Sequence, residues 1–224
     1  MKRIFNRRGN KNLQRKQKIP YNIFQTFKTR DVPETMFNSV NVWIEKNPEY
    51  NYFFYDDKDV LRYINLFNYE HNNFEISKEE MLLAFNKIKP GAGKADLFRL
   101  LVVYDKGGCY FDIDTIPKIP LSSLIRCDDE IVSGLGVRKD FHQWGLIYIP
   151  KHPFLKKAIE MAVFNILNEN FIKNYKTIEY LCGSPCLDMA IKKVLNYEPQ
   201  HAFKSGLYKT NGFSYRLISG DFFG

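Results

Sequence analysis

Residues 94–114 read KADLFRLLVVYDKGGCYFDID, and the change of period inside this stretch decides the fold class. From Lys94 to Lys106 the apolar residues Leu97, Leu100, Leu101 and Tyr104 recur at helical spacing. Gly107-Gly108 ends that helix, and Cys109–Asp114 follows at once as a strand. Alternate strand residues share a face, so Cys109, Phe111 and Ile113 are expected toward a core, with Asp112 and Asp114 together on the other side. Asp96 and Arg99 are three residues apart and flank the apolar stripe, so they are expected as neighbours on the helix surface, with little packing at stake.

The same alternation extends both ways. Strands are expected at Ile19–Thr26, Tyr50–Tyr55, Glu130–Leu135 and Leu146–Ile149. Helices are expected at Glu34–Lys46, Asp59–Phe67 with Asp56 or Asp57 as cap, and Lys78–Ile88 with Ser77 and Glu80 as a capping box. Two more fall at Pro153–Leu167 and Pro185–Leu195. Pro90-Gly91-Ala92-Gly93 reads as a break, and Gly206–Gly224 takes no assignment. Strands separated by helices give an α/β class, one sheet covered on both faces.

The chain has 224 residues, 45% of them hydrophobic and 16% aromatic, enough for one sizeable core and inconsistent with global disorder. No apolar run reaches spanning length, and the N-terminus has no signal-peptide core. The formal charge of +8 is local. Residues 1–18 carry eight bases and no acid, which leaves 25 basic against 25 acidic residues beyond them. The expected organisation is therefore a disordered basic tail, 1–18, and a single catalytic domain, 19–224. The tail is expected to associate weakly with anionic membrane, and no specific nucleic acid is implied. Cys109, Cys127, Cys182 and Cys186 match no zinc template and read as free thiols of a reducing compartment. The expected location is cytoplasmic, peripheral at a membrane surface.

The chemistry concentrates at Asp112-Ile113-Asp114. Paired carboxylates at the carboxyl end of a sheet strand repel one another, and a hard divalent cation with oxygen ligands relieves that repulsion. Ligands of open α/β sheets bind there, and a metal in that position can hold a diphosphate.

The unit Ala95-Asp96 to Arg99, the apolar helix, then Gly107-Gly108-Cys109-Tyr110-Phe111-Asp112-Ile113-Asp114 resembles the DXD-containing sugar-binding region of glycosyltransferase family 32. That family includes fungal Golgi mannosyltransferases and is related to the clostridial glucosylating toxins. Ile19–Thr29 resembles its opening I-P-K-I-I-H-Q-T-W-K-T, His152-Pro153-Phe154 its H-P-F, and Gly183-Ser184-Pro185 its T-G-P. The resemblance implies a GT-A (Rossmann-like) fold, a single mixed sheet flanked by helices. It implies a retaining transfer of a hexose from a nucleotide-sugar donor, UDP-sugar ahead of GDP-sugar, to a hydroxyl of a glycan, lipid or protein acceptor. The cofactor implied is Mn2+ or Mg2+, with Asp114 and Asp112 as ligands. Asp96 and Arg99 would hold the donor sugar, and Asp112 would also contact the sugar or ribose. Phe27 stands where the family has a base-stacking Trp, and Gln25 and Thr26 would line the same pocket. Phe24 replaces the family's His, and the H-x-x-x-S-W tail is not matched; Ser219 or Asp221 would have to substitute.

Two other classes read the same residues differently. Asp112-Ile113-Asp114-Thr115 also fits the nucleophile loop of haloacid-dehalogenase-type phosphatases, with Asp112 phosphorylated and Asp114 as acid/base. A non-catalytic polyanion-binding protein would rely on the basic tail. His142 and Trp144 read equally as acceptor-side lining or rim packing, and Lys94 as a phosphate contact or a solvated first-turn residue. His71 and His201 read as surface residues.

Overall fold

The computed structural model describes residues 1–136, 140–168 and 175–218. Nine strands are described: β1 (Lys2–Arg3), β2 (Asn22–Thr26), β3 (Asp31–Val32), β4 (Asn51–Tyr55), β5 (Gly108–Phe111), β6 (Ile131–Gly134), β7 (Gly145–Tyr148), β8 (Gly206–Thr210) and β9 (Phe213–Ile218). The helices are α1 (Glu34–Lys46), α2 (Asp57–Leu66), α3 (Lys78–Lys87), α4 (Gly91–Lys106), α5 (Leu121–Leu124), α6 (Pro153–Asn168), α7 (Tyr175–Cys182) and α8 (Ser184–Leu195). A seven-stranded mixed sheet runs β4-β2-β5-β7-β6-β9-β8. Its first three strands are parallel, and β7 then pairs antiparallel with both β5 and β6.

Side-chain alternation assigns the two faces. Phe24, Tyr110, Leu146 and Tyr148 join one apolar cluster with residues of α2, α3, α4, α6 and α8. Ile23, Cys109, Phe111, Ile113 and Ile147 join the other, with Val40 and Trp43 of α1 and Leu121 of α5. Phe111 stacks on Trp43 with ring centroids 4.1 Å apart. The alternation expected for Cys109, Phe111 and Ile113 is therefore seen, and the opposite side belongs to α4.

Helix caps fall where the side chains dictate. Asp56 accepts from the backbone of Lys58 and Asp59, and Ser77 and Glu80 form a reciprocal capping box. The expected break at Pro90–Gly93 is not one: Pro90 is the N-cap and α4 begins at Gly91. Gly93 lets other side chains approach closely, since a Cβ there would come within 2.5 Å of Ile178 Cγ2 and 2.9 Å of Ile88 Cγ2. At the other end of α4, Gly107 and Gly108 have φ of 62° and 112°, which only glycine adopts cheaply. The strand after them is shorter than expected, ending at Phe111.

The disordered tail is also corrected. β1 pairs antiparallel with β3, and Ile4 is 2% exposed. Arg7 and Tyr52 exchange backbone hydrogen bonds of 2.9 and 2.8 Å, so the segment covers the outer edge of β4. The cause is the unpaired backbone of an edge strand, which the segment satisfies. At Gly9 the two backbones lie so close that a Cβ would collide with the Glu49 carbonyl oxygen. The stretch left unassigned contains the β8–β9 hairpin, turning through Asn211 (φ 51°) and Gly212 (φ 79°), with Tyr208 stacked on Tyr215 at 4.8 Å. Ser219 and Asp221 lie outside the described residues. Among the described residues, no helix is long and apolar enough to cross a membrane.

Candidate active site

A cavity of about 690 Å³ opens at the carboxyl ends of β2 and β5, between them and the start of α4. Its walls include Thr26, Phe27, Asp96, Arg99, Asp112 and Asp114, which the sequence had marked. The topology explains the meeting. β2 and β5 are parallel neighbours, so their ends carry Thr26-Phe27 and Asp112–Asp114 to one edge. Helix α4 precedes β5 directly, and so delivers Asp96 and Arg99 to the same place.

Arg99 is the centre of the site. Its Nη1 lies 3.1 Å from Asp96 Oδ1, and its Nη2 donates to Asp112 Oδ1 at 2.7 Å. Its guanidinium sits over the Tyr110 ring, 4.8 Å from the centroid, and the Tyr110 hydroxyl donates to the same Asp112 oxygen at 3.2 Å. Asp96 and Arg99 are each only 6% exposed. This corrects the expectation of a surface pair flanking a stripe. α4 is buried on nearly every side, from Asp96 through Tyr104, because α6 and α7 cover the flanks that an amphipathic pattern would leave wet.

The electrostatics follow from that burial. Burial raises the Asp96 carboxyl to about 6, Arg99 opposing the rise and Asp112 and Glu179 adding to it. Asp112 is raised too, first by burial and against the pull of Arg99, with the Asp114 charge adding. Burial would lower Arg99, but Asp112, Tyr110 and Asp96 hold it raised and charged. Its Nε is buried with no hydrogen-bond partner among the described residues, a donor left over inside the cavity wall.

Asp114 is exposed, on a turn fixed by Thr115, whose N–H and hydroxyl both donate to the Asp112 carbonyl at 3.1 and 2.6 Å. Both side-chain bonds to Asp112 fall on Oδ1, which leaves Oδ2 without a side-chain hydrogen bond among the described residues. No group of three or more His, Cys, Asp or Glu able to hold a metal occurs among the described residues. Two carboxylates nevertheless fit a Mg2+ or Mn2+ that takes its remaining ligands from water and substrate phosphate, the usual arrangement for these hard ions.

Gln25 is placed differently from the expectation. It is fully buried beneath the cavity, donating to the Asp112 carbonyl at 3.1 Å and accepting from the Tyr52 hydroxyl at 2.8 Å. It supports the acidic turn and does not line the pocket. Phe27 does line it, half-buried, with Lys28 Nζ 5.7 Å from its ring centroid. Lys94 is also in the wall, its Nζ 5.0 Å from the Phe85 ring centroid. Trp144 lines the cavity, while His142 packs its ring on Trp144 at 4.8 Å and against Gly134.

Sequence reasoning did not find Gln143, Glu179 or Tyr110 as wall residues. Gln143 is 1% exposed, and its Nε2 donates to the carbonyls of Asp96 (3.3 Å) and Cys182 (2.7 Å), tying α4 to α7. Its Oε1 is buried without a partner among the described residues. No periodicity marks such a residue; only the fold brings it to Asp96.

The family model "Glycosyltransferase sugar-binding region containing DXD motif" matches residues 33–131. The chain is 26% identical over 211 residues to inositol phosphoceramide mannosyltransferase 1 of Schizosaccharomyces pombe, covering 92% of this chain and 62% of that protein. It is 29% identical over 149 residues to the mannosyl phosphorylinositol ceramide synthase SUR1 of Saccharomyces cerevisiae, covering 64% of this chain and 35% of that protein. The initiation-specific alpha-1,6-mannosyltransferase of Candida albicans is 26% identical over 167 residues, 63% of this chain and 42% of its own. The chain thus spans between about a third and less than two thirds of the length of these relatives. Among solved structures, the PaToxG glycosyltransferase superposes with a TM-score of 0.63 at 20% identity, over 80% of this chain and 70% of that one. A transferase mutant does so at 0.52 and 14%, over 84% and 89%. The fold is that of the GT-A glycosyltransferases, and the likeness to family 32 implied by residues 94–114 is met.

Proposed function

We propose that this chain, which carries the DXD-containing sugar-binding region of glycosyltransferases, transfers a hexose from a nucleotide diphosphate sugar to an acceptor hydroxyl with retention of configuration. The observation that supports it most is the Asp96–Arg99–Asp112 chain of contacts in the wall of a cavity at the carboxyl end of β5. Asp112 and Asp114 would hold a divalent ion, Mn2+ or Mg2+, which when bound neutralises the diphosphate and steadies it as a leaving group.

The remaining chemistry belongs to the chain's own side chains. Cleaving the glycosyl–phosphate bond builds negative charge on the leaving diphosphate. Arg99 stays cationic in the cavity wall, and its charge stabilises the leaving group more as the negative charge grows. Asp96, aligned by Arg99 and by the grip of Gln143 on its carbonyl, would accept from the sugar hydroxyls. Its carboxylate also favours a sugar that gains positive character. Phe27 would stack on the base and Thr26 would contact the nucleoside, with Gln25 holding the Asp112 backbone from below. The acceptor is a glycan, lipid or protein hydroxyl on the Trp144 side. Two relatives are named for ceramide lipids and all three names carry a mannosyl group, which puts lipid and mannose first in any screen, beside the UDP-sugars. The cysteines are free, in keeping with a reducing, cytoplasmic setting.

A thermal-shift screen of nucleoside diphosphates and their sugars, with and without Mn2+, tests this reading. The true donor should raise the unfolding midpoint most, and only with metal present. No stabilisation by any nucleotide sugar would contradict it.

A further inference from the structure

We propose that residues 1–18 form a docking surface for a bilayer rich in anionic lipid. The segment is a fixed part of the fold. Ile4 is buried, Arg7 pairs with Tyr52, and the Lys18 N–H donates to the Cys127 carbonyl at 3.2 Å. Arg15 donates to the carbonyls of Ser122 and Ile125. Arg3 and Lys18 are paired with Asp31 and Glu130. Lys2, Arg7, Arg8, Lys11 and Lys16 are exposed and make no ion pair among the described residues.

Between these cations stand apolar side chains that the fold does not use. Met1, Phe5 and Leu13 are 80%, 67% and 56% exposed. Cations alone would suit any polyanion. Cations interspersed with exposed apolar groups match a lipid interface, where the charges meet headgroups and the apolar side chains enter the acyl boundary. A nucleic acid would leave Met1 and Leu13 in water, so the bilayer is the partner that uses both kinds of side chain.

The position of the segment adds a consequence. β1 pairs with β3, which lies between Phe27-Lys28 and Met36 of the cavity wall. The segment runs from β3, next to that wall, along β4 to Glu130 near the amino end of β5, so a bilayer held by it would lie along the β4 edge of the sheet. Docking itself does not depend on the transfer reaction.

The test is co-sedimentation of the full chain with phosphatidylcholine vesicles and with vesicles holding about 30% phosphatidylserine, at ~0.1 M salt. Binding is expected to the anionic vesicles only. Lys11→Gln with Lys16→Gln should weaken it about thirtyfold, from about 1 kcal/mol per charge. Phe5→Ser with Leu13→Ser should also weaken it, at unchanged charge. All these side chains are exposed, so the unfolding midpoint should hold in both variants. No sedimentation, or equal binding to both vesicles, would overturn the proposal. So would full vesicle affinity in the Phe5/Leu13 variant with equal binding of a single-stranded oligonucleotide, the mark of a general polyanion surface.

Discussion

Arg99 Nη2 lies 2.7 Å from Asp112 Oδ1, and this contact joins the helix that enters the site to the acidic turn that follows β5. The two residues are 13 positions apart, and the glycine pair between them reverses the chain within that distance. Asp96, on the same helix, completes the triad from the other side of the guanidinium.

Arg99→Ala should therefore destabilise the fold, contrary to the surface pair read from sequence. It leaves the buried Asp96 carboxylate and the half-buried Asp112 carboxylate without their shared cation, a loss of about 3 kcal/mol. Equilibrium urea unfolding measures it; a loss below about 1 kcal/mol, the size of an exposed pair, would contradict the buried triad.

Asp114→Asn should behave in the opposite way. The side chain is exposed, so stability should stay within about 0.5 kcal/mol of the parent. Metal-dependent turnover of the donor should fall by orders of magnitude, because the charge that would hold the ion is gone. Activity unaffected by this change, or by excess chelator, would remove Asp114 from the metal site.

The pH dependence of stability gives a test of Asp96. Its folded value is raised to about 6, above the unfolded carboxylate value of about 3.9. Its contribution is then fully present below about pH 4 and is lost as pH rises through about 6, since the folded state holds the proton longer. His152, 3% exposed and lowered to about 4 by burial, acts with the opposite sign and loses stability as pH falls from about 6.5. The wild-type curve alone mixes the two. The stability of Asp96→Asn relative to wild type should rise between about pH 4 and pH 6; a flat difference would show that Asp96 is not raised.

Removing residues 1–18 should destabilise the protein. It exposes the outer edge of β4 and deletes the buried Ile4. Ile4→Ala alone should cost about 2 kcal/mol or more, and Gly9→Ala should also destabilise, since its Cβ meets the Glu49 carbonyl. Thermal unfolding of the truncated chain checks this, and an unchanged midpoint would return the segment to a loose tail.

Much of the sheet was legible because its strands and helices differ in period and carry local caps. α1 runs from Glu34 to Lys46 as the spacing of Phe37, Val40, Trp43 and Ile44 indicates, and Ser77–Glu80 marks the start of α3. The acidic turn was legible because two carboxylates alternate with apolar residues at the end of a short strand. What escaped was set by tertiary contact. A single isoleucine among eight cations gives no pattern, yet the open edge of β4 orders residues 1–18 around it. α4 carries an amphipathic signature, but α6 and α7 cover its flanks and bury Asp96 and Arg99 with it. Gln25 sits beside pocket residues in the chain, but strand alternation turns it under the floor to the Asp112 carbonyl.

The most direct test of the account is the release of nucleoside diphosphate from UDP- and GDP-sugars by the full chain with Mn2+, wild type against Asp112→Asn. The proposed chemistry predicts metal-dependent release from one donor by wild type. In Asp112→Asn it predicts a fall of a hundredfold or more, about 3 kcal/mol or greater, with the fold retained by circular dichroism. Release that persists at the wild-type rate in Asp112→Asn, or in chelator, would contradict the assignment of this site to sugar transfer.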